Sequence, residues 1–290
     1  MIDYIKNSLN NREIATLIWV SLFIFVMLLD NNIRKSIGGV LKALMNKWIS
    51  ISILAMLIYV SLMVYGFYKI NIWDLKLLKG TVLWTFGVAF IMLMNSQKAL
   101  KDDNYFKKII LDNFKLLVVF TFIVNLYVFN LITELIIIPV MILFVLLQVT
   151  AESKEDFKQV KNMLDYVAAI LSIGYLIFAI IMIFKDSKTF LQIDNLKNFL
   201  LPIVLTILFI PFAYLYALLM LYQTFFVRLK FTIKKNNKLI KYSKRKVFWK
   251  CGFNLKKLKK VSRKMIFFDI KDKNDLKIEL NNALINKPSG

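Results

Sequence analysis

Seven stretches of this chain contain no ionisable side chain: Ile14–Leu29, Trp48–Tyr68, Gly80–Gln97, Leu116–Thr133, Leu135–Ala151, Tyr166–Phe184 and Asn198–Val227. A bilayer's hydrocarbon core is crossed by about 20 apolar residues in helical form, with a working range of roughly 17–25. Backbone polar groups in lipid must be satisfied within the segment, so runs of this kind read as helices. The first run, between Glu13 and Asp30, is slightly short and reads either as a span or as a re-entrant or interfacial helix. The expected fold class is an all-α polytopic membrane protein with six or seven transmembrane helices over residues 14–227. A short helix over residues 1–13 precedes them, and a basic, mostly helical region over residues 228–290 follows. A mean hydropathy of +0.62 agrees with this class. A cleaved signal peptide is not expected, because the first run begins after Glu13 and ends in LLDNNIRK.

Function classes narrow quickly. With one cysteine, Cys251, and no histidine, most metal chemistry and every histidine-based catalytic arrangement are absent. Cys251 is the only nucleophile to consider, and no imidazole exists to activate it. No enzyme activity and no cofactor are expected.

Charge distribution sets the expected topology. Residues 228–290 hold 20 of the 40 Lys and Arg against four acids, Asp269, Asp272, Asp275 and Glu279, so most of the net charge of +22 lies there. Positive segments stay on the cytoplasmic side, which puts the tail in the cytosol of a bacterial inner (plasma) membrane. Counting back, residues 30–47, 96–115 and 152–165 are inside loops, and the turn at 131–134 is outside. Residues 1–13 are outside with seven spans and cytosolic with six.

The membrane half offers polar positions. At helical spacing Thr81, Thr85, Val88, Met92 and Asn95 share a face that could line a narrow path. Thr121 and Asn125 pair similarly, with Asn130 beyond them. Such residues equally serve as glue between membrane helices. Glu134, in NLITE, is either a polar turn residue or a carboxylate at the outer mouth of a pore. Pro139, Pro202 and Pro211 can kink their helices. A single chain has too few polar residues to surround a wide pore, so a channel reading requires several copies.

The tail divides into three parts. Residues 228–250 mix cations, Lys244, Arg245, Lys246 and Lys250 among them, with Tyr242, Phe248 and Trp249. Residues 255–268 read as a basic amphipathic helix: Leu255, Leu258, Val261, Met265 and Phe268 form its apolar face, and Lys256, Lys257, Lys259, Lys260, Arg263 and Lys264 surround it. Residues 265–280 suit strand, turn and strand, although Leu276, Leu280 and Leu284 suit a helix. The last uncharged run, 198–227, is about 45 Å long as a helix, enough to continue out of the bilayer into the tail. Such a surface can grip anionic lipid headgroups. It can also bind a single-stranded nucleic acid, with the cations on phosphates and Tyr242, Phe248 and Trp249 stacking on bases.

The opening MIDYIKNSLNNREIATLIWVSLFIFV and the cationic YSKRKVFWKCGFNLKKLKKVSRK resemble the membrane effector subunit of the Hailong antiphage system. The resemblance implies a homotetrameric channel that depolarises the infected cell. It also implies a partner nucleotidyltransferase that makes single-stranded oligodeoxyadenylate. That DNA binds an electropositive chamber and holds the channel shut through an N-terminal latch, here residues Ile2–Asn11, which favours the six-span topology. The expected function is an oligomeric ion channel gated by an anionic ligand and acting as an antiphage effector. The alternative is a non-channel scaffold or transport-complex subunit whose polybasic tail binds lipid headgroups.

Overall fold

A computed structural model describes residues 9–113, 127–153, 155–185, 192–233, 237–265, 270 and 272–284. Those residues are helical with no strand, and six helices are long and apolar enough to cross a membrane, as in a multi-pass membrane protein. The candidate spans are α1 (Asn11–Leu29), α3 (Lys47–Lys69), α4 (Leu75–Lys101), α6 (Leu131–Glu152), α7 (Lys158–Lys185) and α8 (Ile193–Thr232). Between and after them lie α2 (Asn31–Leu44), α5 (Tyr105–Asn113), α9 (Asn237–Cys251), α10 (Leu255–Lys264) and α11 (Lys273–Leu284). The short first run is therefore part of a 19-residue helix, lengthened at its start by Asn11, Arg12 and Glu13. Most of the run Leu116–Thr133 lies outside the described residues, as do residues 2–8 of the expected latch.

The chain forms two compact units, Met1–Ile51 with Phe114–Phe199 and Ser52–Asn113 with Leu200–Gly290. In the first, α1 starts at a capping box: Asn10 accepts from the Glu13 backbone N–H while the Glu13 carboxylate accepts from the Asn10 N–H. That cap fixes Arg12 in the first turn, against the first turn of α6. There Arg12 makes a bidentate pair with Glu134, Nε to Oε2 at 3.0 Å and Nη2 to Oε1 at 2.9 Å. Glu134 is 1% exposed, and its Oε1 also accepts from the Phe129 N–H at 3.0 Å. Arg12 donates in addition to the Tyr175 hydroxyl of α7, which in turn donates to the Tyr127 carbonyl. Lower down, the Trp19 indole donates to the Leu135 carbonyl.

The second unit has a core made by α3, α4 and α8 around Met56, Trp84, Leu93, Leu205 and Phe209. Trp84 donates to Thr206, whose hydroxyl donates to the Pro202 carbonyl, and Tyr59 donates to the Leu208 carbonyl in the turn before Pro211. Hydroxyls thus cover backbone and indole groups around the proline-bearing stretch of α8, where lipid offers no partner.

Removing Arg12 would strand a buried carboxylate. Arg12→Ala should lower unfolding free energy in detergent by about 3 kcal/mol, the low end for a buried pair because Arg12 keeps some exposure. Glu134→Gln, which keeps one acceptor oxygen for Arg12 Nη2 and the Phe129 N–H and loses the one that serves Arg12 Nε, should cost less. Thermal unfolding of the two variants checks this order, and an Arg12→Ala protein that melts with the wild type contradicts it.

Candidate anionic-ligand interface

The tail is built onto the end of α8. Ala217, Leu221, Phe225 and Leu229 on α8 share one core with Leu239 and Val247 of α9, Leu258 and Val261 of α10, and Leu276 and Leu280 of α11. The amphipathic face expected of residues 255–268 is real over α10, but it faces this protein core and not lipid. Residues 266–269, Phe268 included, are outside the described residues, and of the two readings for 265–280 the helix holds over Lys273–Leu284.

A left-handed glycine, Gly252 at φ +50°, ends α9 and turns the chain back. Two tyrosines of α8 clamp that turn. Tyr222 donates to the Gly252 carbonyl at 2.8 Å; Tyr214 donates to the Phe253 carbonyl at 2.8 Å and accepts from the Leu255 N–H at 3.0 Å. Asn254 then caps α10 by accepting from the Lys257 N–H.

The cations chosen from sequence have unequal fates. Lys259 is 5% exposed and pairs with Asp103 at 2.5 Å, just past the end of α4. Asp103 is held below the usual carboxylate range by that hydrogen bond and by the Lys259 charge. Lys260 donates to the Leu284 carbonyl at the end of α11, Arg263 to the Leu100 carbonyl, and Lys250 to Asn281. Lys259 is thereby buried in an internal contact and Lys260 half-buried, whereas Arg263 and Lys250 keep exposed side chains. Lys244, Arg245, Lys256, Lys257 and Lys264 are exposed, and Lys246 is half-buried. Lys244 lies 5.3 Å from the Phe226 ring centre. A cavity of about 200 Å³ at the α10 seam is lined by Asp102 and Asp103 as well as Lys256 and Lys259, so it is charge-balanced and not an anion pocket. The exposed cations of one chain lie on an open face of α9 and α10.

Of the stacking candidates, Trp249 is 79% and Phe248 49% exposed, while Tyr242 is half-buried beneath Lys273. Cys251 is buried in the tail core, and burial pushes its thiol up to about 11, so it stays protonated at neutral pH.

The pore-lining candidates are corrected more strongly. Thr81 and Thr85 are buried within the chain: Thr81 accepts from the Trp73 indole and donates to the Leu77 carbonyl, and Thr85 donates to the Thr81 carbonyl. A π-helical turn at Thr85–Ala89 then shifts the register, so Val88 is exposed while Met92 is buried, and Asn95 begins a 3₁₀ turn. No common polar stripe survives. Asn130 is the N-cap of α6 and accepts from Thr133, Glu134 is sealed in its pair with Arg12, and Thr121 and Asn125 lie outside the described residues. Arg12, Tyr175 and Asp103 escaped the sequence reading because their partners are more than a hundred residues away. A membrane tryptophan's need for an acceptor is the signal that points to Thr81 and Thr206 as internal partners.

No family model, curated protein or solved structure matches this chain.

Because Lys259 seats α10 beside Asp103, Lys259→Gln should expose Cys251 to maleimide, whereas Lys256→Gln should leave it protected. The carboxylate is charged at every pH above its lowered value, so protection in the wild type should persist through mildly acidic pH and fall only below the ordinary carboxylate range. Labelling rates across that pH series test both points, and equal rates for Lys259→Gln and wild type contradict the assignment.

Proposed function

We propose that this is a homo-oligomeric membrane channel of the bacterial plasma membrane, regulated by an anionic polymer, most simply a single-stranded nucleic acid, received on the basic tail. One observation carries the reading: α8 runs unbroken for 40 residues, and its last third is the core on which the cationic helices sit. Occupancy of Lys244, Arg245, Lys256, Lys257 and Lys264 therefore bears directly on a membrane helix. Copies of this chain around an axis would repeat the open cationic face and enclose a chamber, where a polyanion relieves the repulsion among subunits. The conducting path itself rests on the resemblance to the Hailong effector, since Thr81 and Thr85 are committed within the chain. Antiphage action, a tetramer and a nucleotidyltransferase partner rest on the same ground.

Residues 2–8 of the expected latch lie outside the described residues; of its remaining residues, Asn10 is the N-cap of α1 and Asn11 its first residue.

A lipid-gripping scaffold is the second reading, favoured by the exposure of Trp249 beside the cations. Proteoliposomes separate the two. Oligodeoxyadenylate should bind full-length protein with a log–log salt slope of about −0.7 per phosphate contact, and Lys244→Gln/Arg245→Gln/Lys264→Gln should make the slope shallower by roughly 2. Ion flux should respond to the oligonucleotide only at the face where a C-terminal tag is open to protease. No binding at low salt and no change in flux would sink the channel proposal.

A further inference from the structure

The last turn of α9 and the bend that joins it to α10 carry three exposed aromatic side chains on an otherwise cationic tail: Phe248 at 49%, Trp249 at 79% and Phe253 at 69%. Exposed aromatics of this size are costly in water and mark a contact surface. Their height relative to the bilayer follows from two helices measured independently. On α8, Asp194 to Tyr214 is about 30 Å of helix, the thickness of the hydrocarbon core. On α4, Lys79 to Lys98 is about 29 Å by the same rise per residue. The two ends meet, because the Phe106 ring lies 5.6 Å from the Tyr214 ring and Lys259, five residues past Asn254, pairs with Asp103. Tyr214 and residues 98–106 thus define one band at the membrane face. The tyrosine clamp holds the α9–α10 turn in that band, at Phe253 and Leu255.

We infer that this turn is a membrane-interface anchor, in which Phe248, Trp249 and Phe253 enter the headgroup region while Lys256 and Lys257 bind anionic lipid phosphates. Aromatic rings concentrate at this depth because one face is apolar while the indole N–H remains among polar groups. Both lysines are exposed in the first turn of α10, immediately after the aromatic turn. The anchor goes beyond the proposed channel and narrows its ligand set: with Lys256 and Lys257 on lipid, Lys244, Arg245 and Lys264 are left for a polymer. It divides the tail cations in two, with Lys256 and Lys257 at lipid and Lys244 and Arg245 more than a helical turn farther into the aqueous phase. It also removes Phe248 and Trp249 from base stacking.

The test uses full-length protein with Cys251→Ser and one new cysteine, Phe253→Cys or Trp249→Cys, carrying a nitroxide. Asn274→Cys, near Tyr242 and about 15 Å farther along α9 from the turn, is the aqueous control. In vesicles of phosphatidylglycerol and phosphatidylcholine, both turn labels should relax readily with oxygen and be shielded from a water-soluble nickel chelate, while the control is not. In phosphatidylcholine alone, or with Lys256→Gln/Lys257→Gln, the shielding should fall. Turn labels as open to the chelate as the control overturn the anchor. So does shielding that is identical in both lipids and arises only when a single-stranded oligonucleotide is added.

Discussion

A 40-residue helix is about 60 Å long, twice what hydrocarbon requires, and the apolar surface beyond the bilayer must be covered by protein. The tail exists to cover it. From Ala217 to Leu229 the buried side of α8 supplies the central ridge of a second core, and α9, α10 and α11 are too polar to form one without it. The hydroxyls of Tyr214 and Tyr222 pin the sharp turn that brings α10 back along α8. Continuity between span and tail is thus a packing requirement.

Charge in this molecule does two separate jobs. Where it is paired it fixes geometry: Arg12 and the buried Glu134 lock α1 to α6, and the buried Lys259 reaches the exposed Asp103 to seat α10. Breaking the first pair is expensive because the Glu134 charge is left without water or partner. Where it is exposed it remains available to anions. Hydroxyls inside the spans belong with the first group, since Thr81, Thr85 and Thr206 satisfy tryptophan indoles and backbone carbonyls.

Span positions were legible because the absence of charge over a bilayer's thickness is a strong signal. The length of α8 and the amphipathic pattern of α10 were legible for similar reasons. Residues 30–47 carry four cations and look like an inside connection in sequence, yet three of them, Arg34, Lys35 and Lys42, belong to an amphipathic helix over Asn31–Leu44. The polar stripe failed through local geometry: at the π turn over Thr85–Ala89, Val88 turns outward while Thr81, Thr85 and Met92 stay buried within the chain. Charge density overstated the ligand set for a related reason. Lys259, Lys260 and Arg263 alternate with apolar residues as the exposed lysines do, and only the position of Asp103, Leu284 and Leu100 in three dimensions separates them.

The central claim is that the uncharged run 198–227 is shared between lipid and the tail core, with the boundary near Tyr214. Leu208 and Val227 both point away from the protein, at 40% and 53% exposure, on opposite sides of that boundary. In a Cys251→Ser background, Leu208→Cys should resist a charged maleimide in permeabilised membranes while Val227→Cys reacts as readily as a cysteine on the exposed face of α9. A Val227→Cys as silent as Leu208→Cys would mean that the whole run is immersed, and the tail core described here would not form on α8.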